Sequence, residues 1–304
     1  MRTSSHLSEP DLQRGAPTLR AVADLTERIG TLFASPSFQP PMLPSVAIEL
    51  LDVARYPDID LKRVARLIER DPLLAGRVMQ LVQSPYFAGR VPISDLNQAI
   101  FRLGLNNIRD LVLEAALNIQ LFTTPGYQGA MERVRRHSVA TAHIGRIIAK
   151  HTNQDPHRIY LLGLLHDVGL AAGLITVDKM FVNGKRPPLH HIWPAIETTH
   201  ESAGTLLARI WDLPGNLAKL IGQHHHFQAT GSDELELATL HLAEAISNRI
   251  GRGVTSPGQP QQLQHVADVI SPDVVATARK TLRLSQEQIV QFIRVSEEHL
   301  DAIR

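Results

Sequence analysis

The chain has 304 residues, 43% of them hydrophobic and 20% charged, enough for one large domain or two ordinary ones and incompatible with wholesale disorder. Lys and Arg total 31 against 30 Asp and Glu, a formal charge of +1 that is too balanced for a protein whose main business is gripping nucleic acid by long-range charge. There is no cysteine, which excludes disulfides, a thiol nucleophile and any Cys-ligated zinc or iron–sulfur site.

Helical periodicity begins at residues 18–33 and stops in the proline-rich loop 35–42. Pro44 suits the first turn of a second helix, because its missing amide proton would be an orphan there anyway. Asp60 is the expected cap of a third helix reaching about residue 70, with Val64, Leu67 and Ile68 on one side. Asp71-Pro72 caps a fourth over 73–82. Ser94 is expected to cap 96–103, Gly104 to end it, and Asn106 or Asn107 to start the next helix, reaching about Leu121. Further helices are predicted over 131–150, 157–169, 197–210, 215–226 and 235–250, with 182–193 read as irregular. The segment 251–262 has five glycines and prolines and reads as an exposed loop. Ser285-x-x-Gln288 is a capping-box pattern opening a last amphipathic helix with Ile289, Phe292, Ile293 and Leu300.

Strand-like alternation is scarce, so the class is all-α. No uninterrupted apolar run of about 18 residues is present, and the nearest, 161–175, carries His166 and Asp167 in its middle. The first twenty residues hold Glu9, Asp11 and two prolines without an apolar core and do not read as a secretory signal. The expected location is the cytoplasm, without membrane contact.

Histidine is the anomalous residue. Between Leu7 and Arg136 there is none, and between His137 and His241 there are twelve. The chain therefore reads as two functional halves. Adjacent His166-Asp167 is the sharpest local feature, although a buried histidine bonded to its neighbours is the commoner explanation of any single one. Partners on other predicted helices strengthen it: His137 after Arg135-Arg136, His200 in Glu197-Thr-Thr-His200-Glu201, His224 and His225 at the end of another helix, and Glu244 on the next. Imidazoles with carboxylates suit iron, manganese, zinc, nickel or cobalt better than an oxygen-only magnesium or calcium cage. Six or seven such groups point to two ions, with Asp167 able to bridge them, and two ions 3.5–4 Å apart can clamp a phosphoryl group and generate hydroxide. One ion, two, or a hydrogen-bonded remnant site remain open from the residues alone.

The motifs Leu43-Pro44-Ser-Val46, Leu67-Ile-Glu69-Arg70-Asp71-Pro72, Ala99-Ile-Phe-Arg-Leu103-Gly104-Leu105, His137-Ser138, Gly163-Leu-Leu-His166-Asp167-Val168-Gly169, His200-Glu-Ser-Ala-Gly204, Trp211-Asp-Leu-Pro214 and His224-His225 follow one another along the chain. Together they resemble the HDOD domain, the HD-related output domain of bacterial signalling proteins. The resemblance covers about residues 41–250. Gln83-Ser84 stands where that family usually has Asn-Ser, and Ala243-Glu244 where Ala-Asp is usual. The resemblance implies a fold like that of HD phosphohydrolases, in proteins mostly regarded as output or scaffold modules. The relatives that hydrolyse cyclic di-GMP place Lys after the glycine of the His-Asp motif and carry a Gly-Tyr-Pro triplet. Here Leu170 holds the first position and His226-Phe227-Gln228 follows His225, so that reaction is disfavoured.

The expected architecture is a two-lobed all-α bundle: an N-terminal extension over 1–40, an N-terminal lobe over 41–125, an HD-like lobe over 126–250, and a loop with C-terminal helices over 251–304. The expected metal ligands are His137, His166, Asp167, His200, His224, His225 and Glu244, with Lys185 and Arg186 as the nearest cationic ligand-binding candidates. No residue is singled out as a catalytic acid. His143, His151 and His157 read as surface or ordinary core residues, His190-His191 as loop, and Trp211 as a core anchor. Helix–turn–helix spacing in 60–82 and 94–121 is better explained by helix packing, so direct nucleic-acid binding is disfavoured. Segments 1–39 and 261–304 are too short for a receiver, kinase or cyclase domain, so the expected partner is such a signalling protein in trans, or a small phosphorylated ligand. The functional expectation is a signalling output or scaffold module in which catalysis is secondary. The alternative is a di-metal phosphohydrolase acting on a nucleotide or other phosphoester.

Overall fold

The computed structural model describes residues 19–36, 38–43, 45–53, 61–85, 87, 92–181, 186–226, 231–254 and 272–302. Among these residues there is no strand, and the helices run in the order α1 Leu19–Ala34, α2 Ser45–Val53, α3 Leu61–Glu69, α4 Pro72–Val82, α5 Leu96–Leu103, α6 Leu105–Gln120, α7 Gln128–His151, α8 Pro156–Leu165, α9 Val168–Met180, α10 Leu189–Ile210, α11 Leu217–Ile221, α12 Ser232–Arg249, α13 Pro272–Thr281 and α14 Gln286–Ala302.

The local chemistry accounts for the ends of these elements. Asp71 caps α4 by accepting from the Leu74 amide at 3.0 Å, with Pro72 at the first position. Asp95, rather than Ser94, caps α5, accepting from Gln98 N at 2.9 Å, while Ser94 N donates to the Gln98 side chain at 3.2 Å. The carboxylate one residue later reaches the first-turn amides and takes the role expected of the serine. Ser285 and Gln288 form the reciprocal box, Ser285 N to Gln288 Oε1 at 2.8 Å and Gln288 N to Ser285 Oγ at 3.2 Å. The loop predicted over 251–262 lies outside the described residues beyond Val254.

The helix predicted over 215–226 shortens to α11, Leu217–Ile221, leaving His224 and His225 beyond its end, and two further expectations are corrected. First, 157–169 is not one helix: α8 ends at Leu165, Asp167 takes φ −98° and ψ 13°, and α9 starts at Val168. Second, 182–193 is not all irregular, because α10 already begins at Leu189 and runs through Pro194, placing His190 and His191 in its first turn with His191 buried. Pro194 hid that helical start from a sequence reading, since proline inside a helix removes a backbone hydrogen bond.

Helices α8 and α9 are apolar on nearly every side and therefore sit at the centre. Their combined stretch Pro156–Met180 is long and apolar enough to cross a membrane by composition, yet 94% of its most apolar window is buried inside the protein. α7 packs along α8 and α12, α9 along α10, and α1 reaches across the chain to lie on α10. One hydrophobic core consequently runs from Leu25 and Ile29 through Val64, Ile68 and Leu117 to Leu164, Val168, Ile196 and Leu240, joining both sequence halves. A smaller core, with Ile144, Leu242, Ile246 and Phe292, fastens α13 and α14 to α7 and α12. Trp211 is buried as expected and also donates its Nε1–H to the Pro41 carbonyl at 3.0 Å, tying the loop before α2 to the end of α10.

Candidate metal centre

The break between α8 and α9 is what makes the centre. Continuing the helix would send His166 and Asp167 out about 100° apart. The turn at Asp167 instead directs both into the space enclosed by α7, α10, the segment after α11, and α12. Gly169 lies so close to α10 that a Cβ there would overlap the backbone of His200 and Gly204, so this glycine sets how near His200 comes to Asp167.

All seven predicted ligands converge. Asp167 Oδ2 faces His166 Nε2 at 3.4 Å and His137 Nε2 at 3.7 Å, while its Oδ1 faces His224 Nε2 at 3.4 Å and His200 Nε2 at 3.8 Å. Glu244 Oε1 lies 3.3 Å from His166 Nε2 and 3.9 Å from His137 Nε2. His225 Nε2 lies 3.1 Å from His200 Nε2, which is itself 3.2 Å from His224 Nε2. Two ligand groups result, His137–His166–Asp167 and Asp167–His200–His224–His225, each with its donor atoms within 4.8 Å of one another and sharing only Asp167. The first group is buried, and Glu244 adjoins it; the second opens to solvent at His225. Of the two predicted cationic residues, Arg186 is not at this centre, since it pairs with Asp178 of α9. Lys185 lies outside the described residues.

The imidazoles are oriented from behind. His166 Nδ1–H donates to the Gly163 carbonyl at 2.8 Å, His224 Nδ1–H to Ile221 at 2.7 Å, and His200 Nδ1–H to Glu197, each three residues back along the chain. His137 Nδ1–H is held by the Arg252 carbonyl at 3.2 Å. Fixing Nδ1–H in this way turns the Nε2 lone pair toward the centre, the arrangement found behind metal-ligating histidines. His241, absent from the predicted set, bonds the His224 carbonyl from α12. Only its neighbours in space reveal that role.

Burial works against charge here, and the opposed charges overcome it. Desolvation acts to raise the pKa of Asp167, but His166, His224 and His137 hold it well below the carboxylate range. Glu244 is held low in the same way by His137, His166 and His224. Desolvation acts to lower His166, yet the Asp167 and Glu244 carboxylates keep its pKa well above the ordinary imidazole value. Burial lowers His200, and burial with His224 nearby pushes His225 down to about 4. These residues fit a transition metal on the structure itself: His166 Nε2 and Glu244 Oε2 are buried without a hydrogen bond, and imidazoles with ionised carboxylates are the donor set such ions take, His166 giving up its proton to the ion.

A second buried polar cluster lies apart from this centre. Tyr160 of α8 donates to Glu114 of α6 at 2.5 Å, His143 Nε2 of α7 lies 3.5 Å from the same carboxylate, and His299 Nε2 of α14 meets His143 Nδ1 at 2.9 Å. Arg146 stacks on Tyr160 at 3.8 Å and pairs with Asp110 at 3.0 Å, and His157 meets Asp110 at 2.6 Å. His143 and His157 are thus parts of one network rather than unrelated core or surface residues.

An all-helical fold with a His-Asp break feeding a shared carboxylate centre defines the HD-like class. Within it, the sequence profile of the HDOD domain matches residues 41–227, and the chain belongs to that family. It is similar to an HDOD domain protein of unknown function from Geobacter sulfurreducens, with a TM-score of 0.67, 22% identity, and 94% of this chain and 98% of that one covered. A Shewanella amazonensis protein named as a candidate metal-dependent phosphohydrolase has a TM-score of 0.65 at 18% identity, covering 93% of this chain and 100% of that one. An uncharacterized protein of Treponema pallidum is 24% identical over 299 residues, 94% of this chain. The chain spans 56% of that relative's length.

Proposed function

We propose that the protein is a signalling output module that binds two divalent transition-metal ions and uses them to hold and hydrolyse a phosphoester. The observation that carries this reading is the division of Asp167, whose Oδ2 faces the His137–His166 pair and whose Oδ1 faces the His200–His224 pair. Seven ligand-type groups meet there, four of them imidazoles with their Nδ1 engaged on carbonyls. Two ions held there would supply a clamp on a phosphoryl group and a hydroxide for in-line attack. The protein's own residues hold the buried carboxylates ionised, aim each Nε2 inward, and leave access on the His225 side. A name given to a structural neighbour, candidate metal-dependent phosphohydrolase, supports the same chemistry.

The test uses protein purified without a histidine tag, loaded with Mn²⁺ and given bis(p-nitrophenyl) phosphate. Release of p-nitrophenolate that chelator removes, and that a His166→Ala, Asp167→Ala double variant lacks, is the expected result. Two bound ions with no release would overturn hydrolysis and leave ligand binding.

One observation favours the scaffold reading, in which a signalling partner docks in trans. α3 and α5 flank an open cavity of about 740 Å³ lined by Lys62, Arg66, Glu69, Asn97 and Phe101, and Phe101 is 88% exposed. An aromatic side chain so placed is a natural anchor for a partner surface.

A further inference from the structure

The buried half of the centre depends on a part of the chain that the HDOD profile does not reach. The profile ends at residue 227, whereas Glu244 and the groups behind His137 come from α12 and the turn that closes it. That turn is a left-handed helix cap. Gly251 has φ +74°, Gly251 N–H donates to Asn248 O at 3.0 Å, and Arg252 N–H donates to Ser247 O at 2.8 Å. These are the paired bonds of the Schellman motif, and they fold the chain back so that the Arg252 carbonyl points toward α7. There it accepts from His137 Nδ1–H at 3.2 Å. Ser247 completes a triangle, its hydroxyl 3.3 Å from His137 Nδ1 and donating to the Arg252 carbonyl at 3.4 Å. The other three anchored ligands use a carbonyl three residues back, but His137 uses one 115 residues away in sequence.

We propose that the Ser247–Gly251–Arg252 turn is a positioning element for His137, and that it sets the affinity of the buried ion subsite without governing the open one. The proposal rests on the two-ion reading above. A carbonyl fixed behind Nδ1 does two things: it selects the tautomer whose Nε2 is a free lone pair, and it fixes the ring plane. The subsite of Asp167, His200, His224 and His225 makes no use of this turn, since its anchors are Glu197 and Ile221. Arg252 also clips to Asp301 of α14 at 3.3 Å, so the turn sits between the C-terminal helix and the centre.

Gly251 offers a clean perturbation, because no described residue lies within 4 Å of a Cβ placed there and a substitution acts chiefly through backbone conformation. A β-branched residue is strongly disfavoured in the left-handed region, whereas asparagine tolerates it. The experiment titrates metal-free, tag-free protein with Mn²⁺ by calorimetry and records the electron paramagnetic resonance of the loaded protein. Wild type should bind two ions and show a coupled-pair signal. Gly251→Val and Ser247→Ala should each weaken one of the two ions by about 10–100-fold, as loss of a supporting hydrogen bond does. The coupled signal should give way to that of an isolated ion, and Gly251→Asn should restore both. Should Gly251→Val fail to fold, Ser247→Ala decides alone, since it removes only a hydroxyl. Two ions at wild-type affinity in the folded variants would overturn the positioning role while leaving the two-ion centre standing. Equal weakening of both ions would overturn it too. Fewer than two ions on the wild type, with Mn²⁺ and then with Co²⁺, would remove the two-ion reading and this proposal with it.

Discussion

His166 Nε2 lies 3.3 Å from Oε1 of Glu244, a carboxylate reaching across from α12 to the end of α8. Glutamate at this position is longer than the aspartate usual after alanine in the resembling motif, and the extra methylene brings its carboxylate to the buried pair. Glu244→Ala should therefore remove the ion shared with His137 and His166, and Glu244→Asp should retain it more weakly. Elemental analysis of dialysed protein distinguishes them. An unchanged metal content in Glu244→Ala would show that this carboxylate is not a ligand.

Asp167 is the only group common to both ligand sets, so its loss should be felt by both ions. Asp167→Asn is expected to abolish the coupled-pair signal of the Mn²⁺-loaded protein. His225→Ala, at the open edge, should weaken only one ion, by more than the about 10–100-fold typical of losing a supporting contact. Retention of the coupled signal in Asp167→Asn would contradict the bridging assignment.

Much of this centre was legible in the sequence. The crowding of histidine after residue 137, the positions of His166-Asp167, His200 and His224-His225, and Glu244 on the next predicted helix identified the seven converging groups, because imidazole and carboxylate are the side-chain donors this cysteine-free sequence concentrates there. The supports were not legible. Gly163, Glu197, Ile221 and Arg252 act through backbone carbonyls, which any residue type carries. The helix break at Asp167 was hidden too, since the helical pattern predicted over 157–169 runs through His166 and Asp167 with no proline after Pro156. Helix positions in the first half were readable to within a few residues, with Asp71-Pro72 and Gly104 seen at the expected ends, while Pro44 and Asp60 lie outside the described residues. Asp95 supplanted Ser94 only because two adjacent candidates competed for one cap. The Glu114–Tyr160–His143–His299 cluster joins residues from four helices, and no local pattern announces it.

Metal affinity should depend on pH through His166. Its imidazole is held protonated beside Asp167 and Glu244, with a pKa well above the ordinary value, so an incoming ion must displace that proton. Affinity is expected to rise with pH through and above neutrality, with proton release on binding. Calorimetry in buffers of different ionisation enthalpy measures the protons released, and none at pH 7 would contradict the assigned protonation.

The pair His143–His299 makes an opposite kind of prediction. Burial, with His143, Arg146 and Lys150 nearby, lowers His299 to about 3, and burial lowers His143 as well. The unfolded chain takes up protons near pH 6.5 that the folded pair refuses, so the stability from these depressed groups is full above that pH. It is lost as pH falls from about 6.5 toward about 3. Thermal unfolding between pH 7.5 and pH 5 should show a steeper loss for wild type than for His299→Gln. Parallel curves would show that this histidine does not carry the effect.

Gly169 and Gly129 should respond oppositely to alanine. A Cβ at Gly169 meets the backbone of His200 and Gly204, which cannot swing aside, whereas Gly129 in α7 has, among the described residues, only the far end of Arg133 nearby. Gly169→Ala is expected to cost at least the about 1–3 kcal/mol of overpacking and to lower metal content together with the melting temperature. Gly129→Ala should stabilise slightly through helix propensity. Equal melting temperatures for the two variants would contradict the close approach of α9 to α10.

The most direct test of the two-ion centre is the metal content of wild-type protein purified without a histidine tag, beside the His166→Ala, Asp167→Ala double variant. Two equivalents of iron, manganese, zinc, nickel or cobalt per chain are expected after reconstitution, lost in the variant while its helical content stays. A wild-type protein that stays folded but retains no metal after each of these ions has been offered would contradict the two-ion centre.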